Sequence, residues 1–271
     1  HRDLHSFPTR RSSDLGTGNV YVDWGNGKLV EYEVPASFVN NPKIVEIKGP
    51  VLSGSGTVKI FTQDRHITYL YCPSSKITDL NVSKEPMLSY LHCFNNNIRS
   101  IDLSKNIELI LLRCQSNQLT LIDVTNNIKL KDLQINANKV STINGLKNLY
   151  ILKTLVTTGN PLKSLDLSGN VNLETLNVRN SGLTKLDLSE NKKIQLVDVT
   201  NGGHVNKNEF NAASLNNLYR SLPDRNGESE GVVRVIYTRD NPIFNDGQGS
   251  QIVIAKDRNW IVTDSQNNKI D

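Results

Sequence analysis

The chain has 271 residues, which is long for one compact domain but suits a solenoid, whose repeats pack only on their neighbours. Its 31 basic and 27 acidic residues are interspersed and leave a net charge of +4, without the basic block that is typical of nucleic-acid binding. No run of about 18 apolar residues is present, so the sequence predicts no transmembrane helix.

Residues 1–15 differ from the rest of the chain. They read HRDLHSFPTRRSSDL, show neither helical nor strand periodicity, and give way to a patterned sequence at Gly16. The whole segment is similar to the translated reading frame of a sequencing adapter, which implies an artefact rather than natural sequence. We therefore expect residues 1–15 to be disordered and dispensable for folding, and the natural N-terminus to be missing.

Residues 16–66 predict a β-rich N-terminal cap. The expected strands are 19–24, 29–34, 44–48 and 57–61. The Gly-Asn-Gly segment at 25–27 separates the first two strands and is typical of a tight hairpin turn, although calcium and sugar loops have a similar composition. Because an open solenoid end exposes an apolar layer, we expect this segment to cover the first repeat.

Residues 67–203 repeat with a period of 21 residues, once lengthened by one residue. Seven segments align on Ile67, Leu88, Leu109, Leu130, Leu152, Leu173 and Ile194. A second aliphatic residue follows three places later, and two places after it come Cys72, Cys93, Cys114, Ile135, Thr157, Val178 and Val199. This L-x-x-L-x-C/L alternation predicts seven short strands, beginning near residues 69, 90, 111, 132, 154, 175 and 196, stacked in parallel in one sheet.

Polar residues also recur in the repeats. Asn96, Asn117, Asn138 and Asn160 share the ninth position, where an inward amide can satisfy backbone groups at the turn that leaves each strand. The second half of the repeat carries a D-[LV]-[ST]-x-N segment beginning at Asp102, Asp123, Asp166 and Asp187. This half predicts short extended or 3₁₀ turns on the convex side. The fourth repeat has Asn144-Gly145-Leu146 instead, so we expect an irregularity there.

Residues 204–271 predict an α/β C-terminal cap. An apolar face formed by Leu215, Leu218, Tyr219 and Leu222 has helical spacing and ends at Pro223. A strand within residues 232–238, a short helix near 250–258 and a strand from Trp260 complete the expected cap.

The three cysteines share one inward position in consecutive repeats. Adjacent strands are about 4.8 Å apart, so Cys72 and Cys114 cannot reach one zinc ion, and neighbouring Cβ atoms lie slightly too far apart for a relaxed disulfide. We expect buried free thiols. His92 and Cys93 point to opposite faces, and the repeated aspartates belong to turns, so the sequence predicts no enzyme, metal site or cofactor.

These motifs resemble the leucine-rich-repeat family, and more closely the short-repeat, internalin-like surface proteins of gut bacteria, whose units read L-T-x-L-D-[LV]-S-x-N. The match spans residues 67–203, and the flanks at 22–27 and 215–223 are also similar to that group. The resemblance implies a leucine-rich-repeat solenoid with a curved parallel β-sheet and short convex turns. It also implies an exported protein, secreted or held at the cell surface as a lipoprotein, that binds without catalysis.

Side chains that leave the concave face of the sheet are the candidate binding residues. Early repeats place Tyr69, Tyr71, Tyr90, His92, Phe94 and Arg113 there, whereas later repeats place mostly polar residues, such as Thr154, Thr175, Asp198 and Thr200. Aromatic rings beside an arginine are typical of protein-binding hot spots and of glycan-stacking platforms. The sequence predicts a monomeric scaffold for a protein or glycan. Three alternatives remain: rings covered by the N-terminal cap, an aromatic surface without a function, and a structural spacer within a longer protein.

Overall fold

A computed structural model describes residues 18–23, 29–34, 59–62, 67–202, 206–236, 251–264 and 266–270. The chain forms two compact units, His1–Arg65 and His66–Asp271. The predictions for residues 1–15, for the turn at 25–27 and for a strand at 44–48 lie outside the described residues.

The first unit contains a three-stranded antiparallel sheet. Its strands are β1 (Gly18–Asp23), β2 (Leu29–Val34) and β3 (Lys59–Thr62). β1 lies in the centre and pairs with β2 along its whole length, which confirms the two strands of the predicted hairpin. β3 overlaps the strand predicted at 57–61.

The second unit contains the repeats. Its elements up to the last repeat are β4 (Tyr69–Tyr71), β5 (Tyr90–His92), β6 (Leu111–Arg113), β7 (Leu121–Asp123), β8 (Asp132–Gln134), β9 (Thr142–Asn144), β10 (Thr154–Val156), β11 (Thr175–Asn177) and β12 (Leu196–Asp198). They are followed by α1 (Ala212–Ser221), β13 (Gly231–Ile236), α2 (Val253–Lys256) and β14 (Trp260–Asp264).

One long sheet runs through the second unit. It has nine strands in the order β4-β5-β6-β8-β10-β11-β12-β13-β14. All neighbouring strands are parallel and equivalent residues stand in register, as Leu91 does with Leu70 and Leu112. The seven strands that the repeat predicts are therefore confirmed, each within one sheet and at its expected position. The two further strands come from the C-terminal segment.

The core is a stack of thin aliphatic layers behind this sheet. The leucines at the centre of the strands, among them Leu91, Leu112 and Leu133, are completely buried. Aliphatic residues of the convex half, such as Leu103 and Val124, close each layer from the other side. Since each layer is buried by the next one, removal of apolar surface from water holds the repeats together.

Buried asparagines satisfy the backbone at the turn after each strand. The Oδ1 atom of Asn96 accepts the backbone N–H groups of Ser75 and Ile77 at 2.9 and 3.0 Å, and its Nδ2 atom donates to the carbonyls of Cys72 and Cys93 at 2.8 and 3.0 Å. Asn117, Asn138 and Asn160 make equivalent bonds in the following repeats. The predicted role of this asparagine ladder is confirmed.

A second asparagine ladder lies on the convex side. Its members are Asn106, Asn127, Asn170 and Asn191, all completely buried. The Nδ2 atom of Asn127, for example, donates to the carbonyls of Leu103 and Asn106 at 3.1 and 2.8 Å. Each amide thus joins its own repeat to the preceding one, a role that the sequence analysis does not predict.

The fourth repeat departs from this arrangement, as expected. Leu149 stands where four other repeats have the asparagine of the second ladder, and a 3₁₀ turn (Leu146–Asn148) precedes it. Gly145 starts this turn with φ of 77°, and a Cβ atom there would lie 2.4 Å from the Cα atom of Thr125. Only glycine fits so close to a neighbouring backbone in the left-handed region. β7 and β9 pair in parallel beside this turn.

The C-terminal segment continues the sheet beyond the last repeat. β13 pairs in parallel with β12, and β14 pairs in parallel with β13. α1 buries Leu215, Leu218 and Tyr219, as its helical spacing predicts, and the Oδ1 atom of Asn211 accepts the N–H of Ser214 at its start. The indole of Trp260 donates to the carbonyl of Pro223 at 2.9 Å, so that helix and strands form one packed layer.

Candidate functional site

Five rings form a contiguous cluster on the face of the sheet opposite to the core. We call Tyr69, Tyr71, Tyr90, His92 and Phe94 the aromatic patch. The ring centroids of Tyr69 and Tyr90 lie 5.8 Å apart, and that of His92 lies 5.3 and 5.5 Å from those of Tyr69 and Tyr71. Phe94 stands edge-on to Tyr71 at 6.0 Å. These distances are typical of favourable aromatic pairs.

The members of the aromatic patch differ in exposure. Tyr71 and Tyr90 are 56% and 38% exposed, while Tyr69 and Phe94 are half-buried. The cluster exists because side chains of one face recur every second residue along a strand, and because the register sets Tyr69 beside Tyr90 and Tyr71 beside His92. The sequence-predicted aromatic residues are therefore brought together by β4, β5 and the turn after β5.

His92 corrects one expectation of the sequence analysis. Alternation along the strand predicts an exposed side chain, yet only 8% of His92 is exposed. It does lie on the face opposite to Cys93, but the rings of Tyr69 and Tyr71 pack against it. This burial lowers the pKa of His92, and the nearby positive charge of Arg113 lowers it further, although Asp132 acts in the opposite direction. The imidazole of His92 is therefore an uncharged group that packs between the rings of Tyr69 and Tyr71.

The lowered pKa of His92 predicts a pH dependence of stability. Above a pH of about 6.5 the imidazole is neutral in both the folded and the unfolded protein, so its protonation does not change the free energy of unfolding. As pH falls below that value, the unfolded chain takes up the proton more readily than the folded protein, and the free energy of unfolding decreases. We expect His92→Gln to reduce this decrease, measured from urea midpoints at about pH 7.5 and 5.0. An equal decrease in both proteins would contradict the burial of a neutral imidazole.

A polar pair borders the aromatic patch on the next strands. The Nη2 atom of Arg113 on β6 lies 3.1 Å from the Oδ2 atom of Asp132 on β8. Gln134 donates to the same carboxylate oxygen at 3.3 Å. The Arg113 side chain is 38% exposed, so its guanidinium is held in place and still reaches solvent. Arg113, the sixth predicted site residue, is therefore a cation that is held in place beside the aromatic patch.

The far end of the same face is polar, but two of its residues are not exposed. Thr154 and Thr175 are half-buried on β10 and β11. Asp198 and Thr200, which the sequence analysis expects at the surface, are 7% and 0% exposed. The hydroxyl and the backbone N–H of Thr200 both donate to the Oδ1 atom of Asp198, at 2.6 and 3.0 Å, so the two residues are bonded to each other. The polar surface is therefore shorter than predicted.

The cysteines form a ladder of unlinked thiols. Cys93 and Cys114 are completely buried, and Cys72 is half-buried in the first repeat. Burial raises the pKa of the Cys72 and Cys114 thiols to about 12, and that of Cys93 well above its ordinary value. Because the thiolate is the nucleophile and the metal ligand, these side chains act as small apolar core residues.

The repeated aspartates are turn residues. The Oδ1 atoms of Asp102, Asp123, Asp166 and Asp187 each accept the backbone N–H two residues later, at 2.9 to 3.0 Å. Hydrogen bonds from the turn lower the pKa of Asp102, Asp123 and Asp166. This confirms the expected role of these carboxylates, which stabilise the convex turns in their ionised form.

Within the described residues, neither a candidate metal cluster nor a membrane-spanning helix is present. No group of three or more histidine, cysteine or acidic side chains there could hold a metal ion. No helix in that part of the chain is long and apolar enough to span a bilayer.

Comparison with known proteins agrees with the fold. No protein-family profile matches the chain, and no curated protein matches it either. Among solved structures, the functional domain of InlJ from Listeria monocytogenes, described as including a cysteine ladder, is similar with a TM-score of 0.50 and 23% identity. The likeness covers 74% of this chain, which spans 46% of the InlJ chain. At this identity it shows the architecture alone: the chain folds as a leucine-rich-repeat solenoid like that of InlJ.

Proposed function

We propose that this protein is a non-enzymatic binding scaffold that holds a protein or glycan partner on the concave face of its long sheet, with the aromatic patch and Arg113 as the contact site. The observation that carries the proposal is the clustering of five rings, two of them well exposed, on one end of a sheet face whose other end is polar.

Exposed aromatic rings are costly for a surface that contacts only water, since they leave apolar area hydrated. In a binding site the same rings supply a large contact area with little loss of side-chain entropy. An arginine that is held by a carboxylate and still reaches solvent, as Arg113 is by Asp132, can bond a partner without first losing its own mobility.

The solenoid suits this role because the stacked repeats hold the site rigid. Tyr69, Tyr90 and Arg113 lie on strands that are fixed by backbone pairing on both sides of β5. A surface fixed in this way binds with little reorganisation, which favours affinity. We further propose that the protein is exported and acts at the bacterial cell surface, on the strength of its internalin-like repeats.

A glycan and surface-protein array tests the proposal. The full chain and the variant Tyr90→Ala/Phe94→Ala are probed side by side, after circular dichroism has shown that both are folded. We expect a partner for the unchanged protein and a loss of that signal in the variant. Equal signals would place the site elsewhere. The absence of any partner, on arrays that also carry extracts of the natural environment, would favour a structural spacer.

A further inference from the structure

A second candidate site lies far along the solenoid from the aromatic patch, where the sixth repeat meets the C-terminal segment. It is a cleft of about 590 Å³, within the range of small-molecule sites. Ser189 and Lys192 come from the turn in the second half of the sixth repeat, Arg220 from the end of α1, and Arg258 from the turn before β14. Three separate elements therefore each supply one cation to one cavity.

The acidic residues of the cleft, Asp224 and Glu228, offset the charge of the three cations only in part. The carboxylate of Glu228 lies 3.2 Å from the guanidinium of Arg225, a buried residue outside the cleft. The Oδ1 atom of Asp224 accepts the backbone N–H of Asn226 at 2.9 Å. Within the part of the chain that the structure describes, no ion pair involves Lys192, Arg220 or Arg258. The cleft thus presents an excess of positive charge.

Several carbonyl groups at the C-terminal end of α1 are bonded by donors other than Lys192 and Arg220. The N–H of Leu222 donates to the carbonyls of Leu218 and Tyr219, and the hydroxyl of Ser221 donates to that of Leu218 at 2.7 Å. Arg258 gives one bond, of 2.8 Å, to the carbonyl of Leu222. The carbonyls of Leu218, Tyr219 and Leu222 therefore have donors other than Lys192 and Arg220. The Arg220 guanidinium gives one bond, of 3.3 Å, to the Oδ1 atom of Asn217.

We propose that this cleft binds a small molecule that carries an oxyanion, namely a carboxylate, sulfate or phosphate group. The forked guanidinium groups of Arg220 and Arg258 match the paired oxygens of such a group, and Lys192 adds a mobile point charge. The Ser189 hydroxyl supplies a neutral donor or acceptor.

Titration calorimetry with inorganic phosphate, sodium sulfate, glucuronate and uncharged glucose tests the proposal. We expect at least one of the three anions to bind with a dissociation constant of about 1 mM or below, more weakly at high salt, and glucose not to bind. Binding of phosphate and sulfate would define a general oxyanion site, and binding of glucuronate alone a site for acidic sugars.

Lys192→Ala/Arg220→Ala should weaken anion binding at least about tenfold, because it removes two charged contacts and leaves the structural bond of Arg258 intact. Lys185→Ala is the matched control, since Lys185 is an exposed cation of the same repeat that does not line the cleft. It should leave binding unchanged, as should the aromatic-patch variant Tyr90→Ala/Phe94→Ala. No anion binding at about 10 mM ligand, or unaltered binding in the double variant, would overturn the proposal.

Discussion

Cys93→Asp should unfold the repeats around β5. Cys93 is completely buried between the side chains of the neighbouring repeats, and the charged form of its thiol is strongly disfavoured there. A carboxylate in this position has no cationic partner, and such a buried charge costs several kcal/mol, about 3–5 kcal/mol where it has been left unpaired. That is a large part of the about 5–15 kcal/mol that holds an ordinary domain together. Urea unfolding followed by circular dichroism measures the loss.

Cys93→Val is the control for this substitution. Valine is apolar and of similar volume, so its cost should stay below about 1.5 kcal/mol. Two results would contradict the buried ladder: a Cys93→Asp protein as stable as the unchanged one, or rapid labelling of Cys93 in the folded protein by a thiol reagent at neutral pH.

Asn96→Ala should lower the free energy of unfolding by about 3 kcal/mol, because two backbone N–H groups and two carbonyls lose their partner at once. The adjacent Asn97 offers a matched comparison. Its side chain is exposed, so Asn97→Ala should change stability by less than about 0.5 kcal/mol. The two variants have the same composition and differ only in whether the buried or the exposed amide of the turn is removed.

Thermal and urea unfolding of both asparagine variants provide the measurement. Similar stabilities for Asn96→Ala and Asn97→Ala would mean that water replaces the Asn96 amide at no cost. The asparagine ladder would then not contribute to the stability of the fold.

The sequence was sufficient to predict the long sheet because its signal is repeated. A leucine at the centre of one strand is ambiguous, but Leu91, Leu112 and Leu133 at a constant spacing of 21 residues can be satisfied only by stacked, parallel strands. The same repetition identifies the asparagines that follow the strands and the inward cysteines. The irregular fourth repeat was also predictable, since Gly145 interrupts a pattern that its neighbours keep.

The second asparagine ladder escaped prediction because its context is polar. Asn106 and Asn127 end a D-[LV]-[ST]-x-N segment, which is typical of an exposed turn, yet both are completely buried. Their constant position just after a buried aliphatic residue, Leu103 or Val124, is the signal that could have identified them. The composition of the segment predicts a turn. Which asparagine side chain of the turn is buried depends on how closely successive turns stack.

The sequence predicted that the aromatic residues and Arg113 share one face of the sheet, but not how exposed each of them is. Their role as a binding site stays a prediction. Alternation determines which face a side chain leaves, and it placed Tyr69, Tyr90 and Arg113 together correctly. Alternation does not show which neighbouring residues cover a side chain. His92 is therefore buried by neighbouring rings, and Thr200 is buried where it bonds Asp198, although both have outward positions in the pattern.

The most direct test of the proposed binding face compares two double variants against the same partner. Tyr90→Ala/Phe94→Ala removes two rings of the aromatic patch, and Thr154→Ala/Thr175→Ala removes two polar side chains from the other end of the same face. Aromatic anchors cost about 2 kcal/mol or more on truncation, so the first variant should raise the dissociation constant at least about thirtyfold, while the second should raise it less than about threefold.

Titration calorimetry with the partner selected on the array gives both constants, and circular dichroism establishes that both variants keep the fold. We expect the dissociation constant of the aromatic variant to exceed that of the threonine variant by more than about tenfold. Equal constants, or a greater loss from the threonine pair, would contradict a binding site at the aromatic patch.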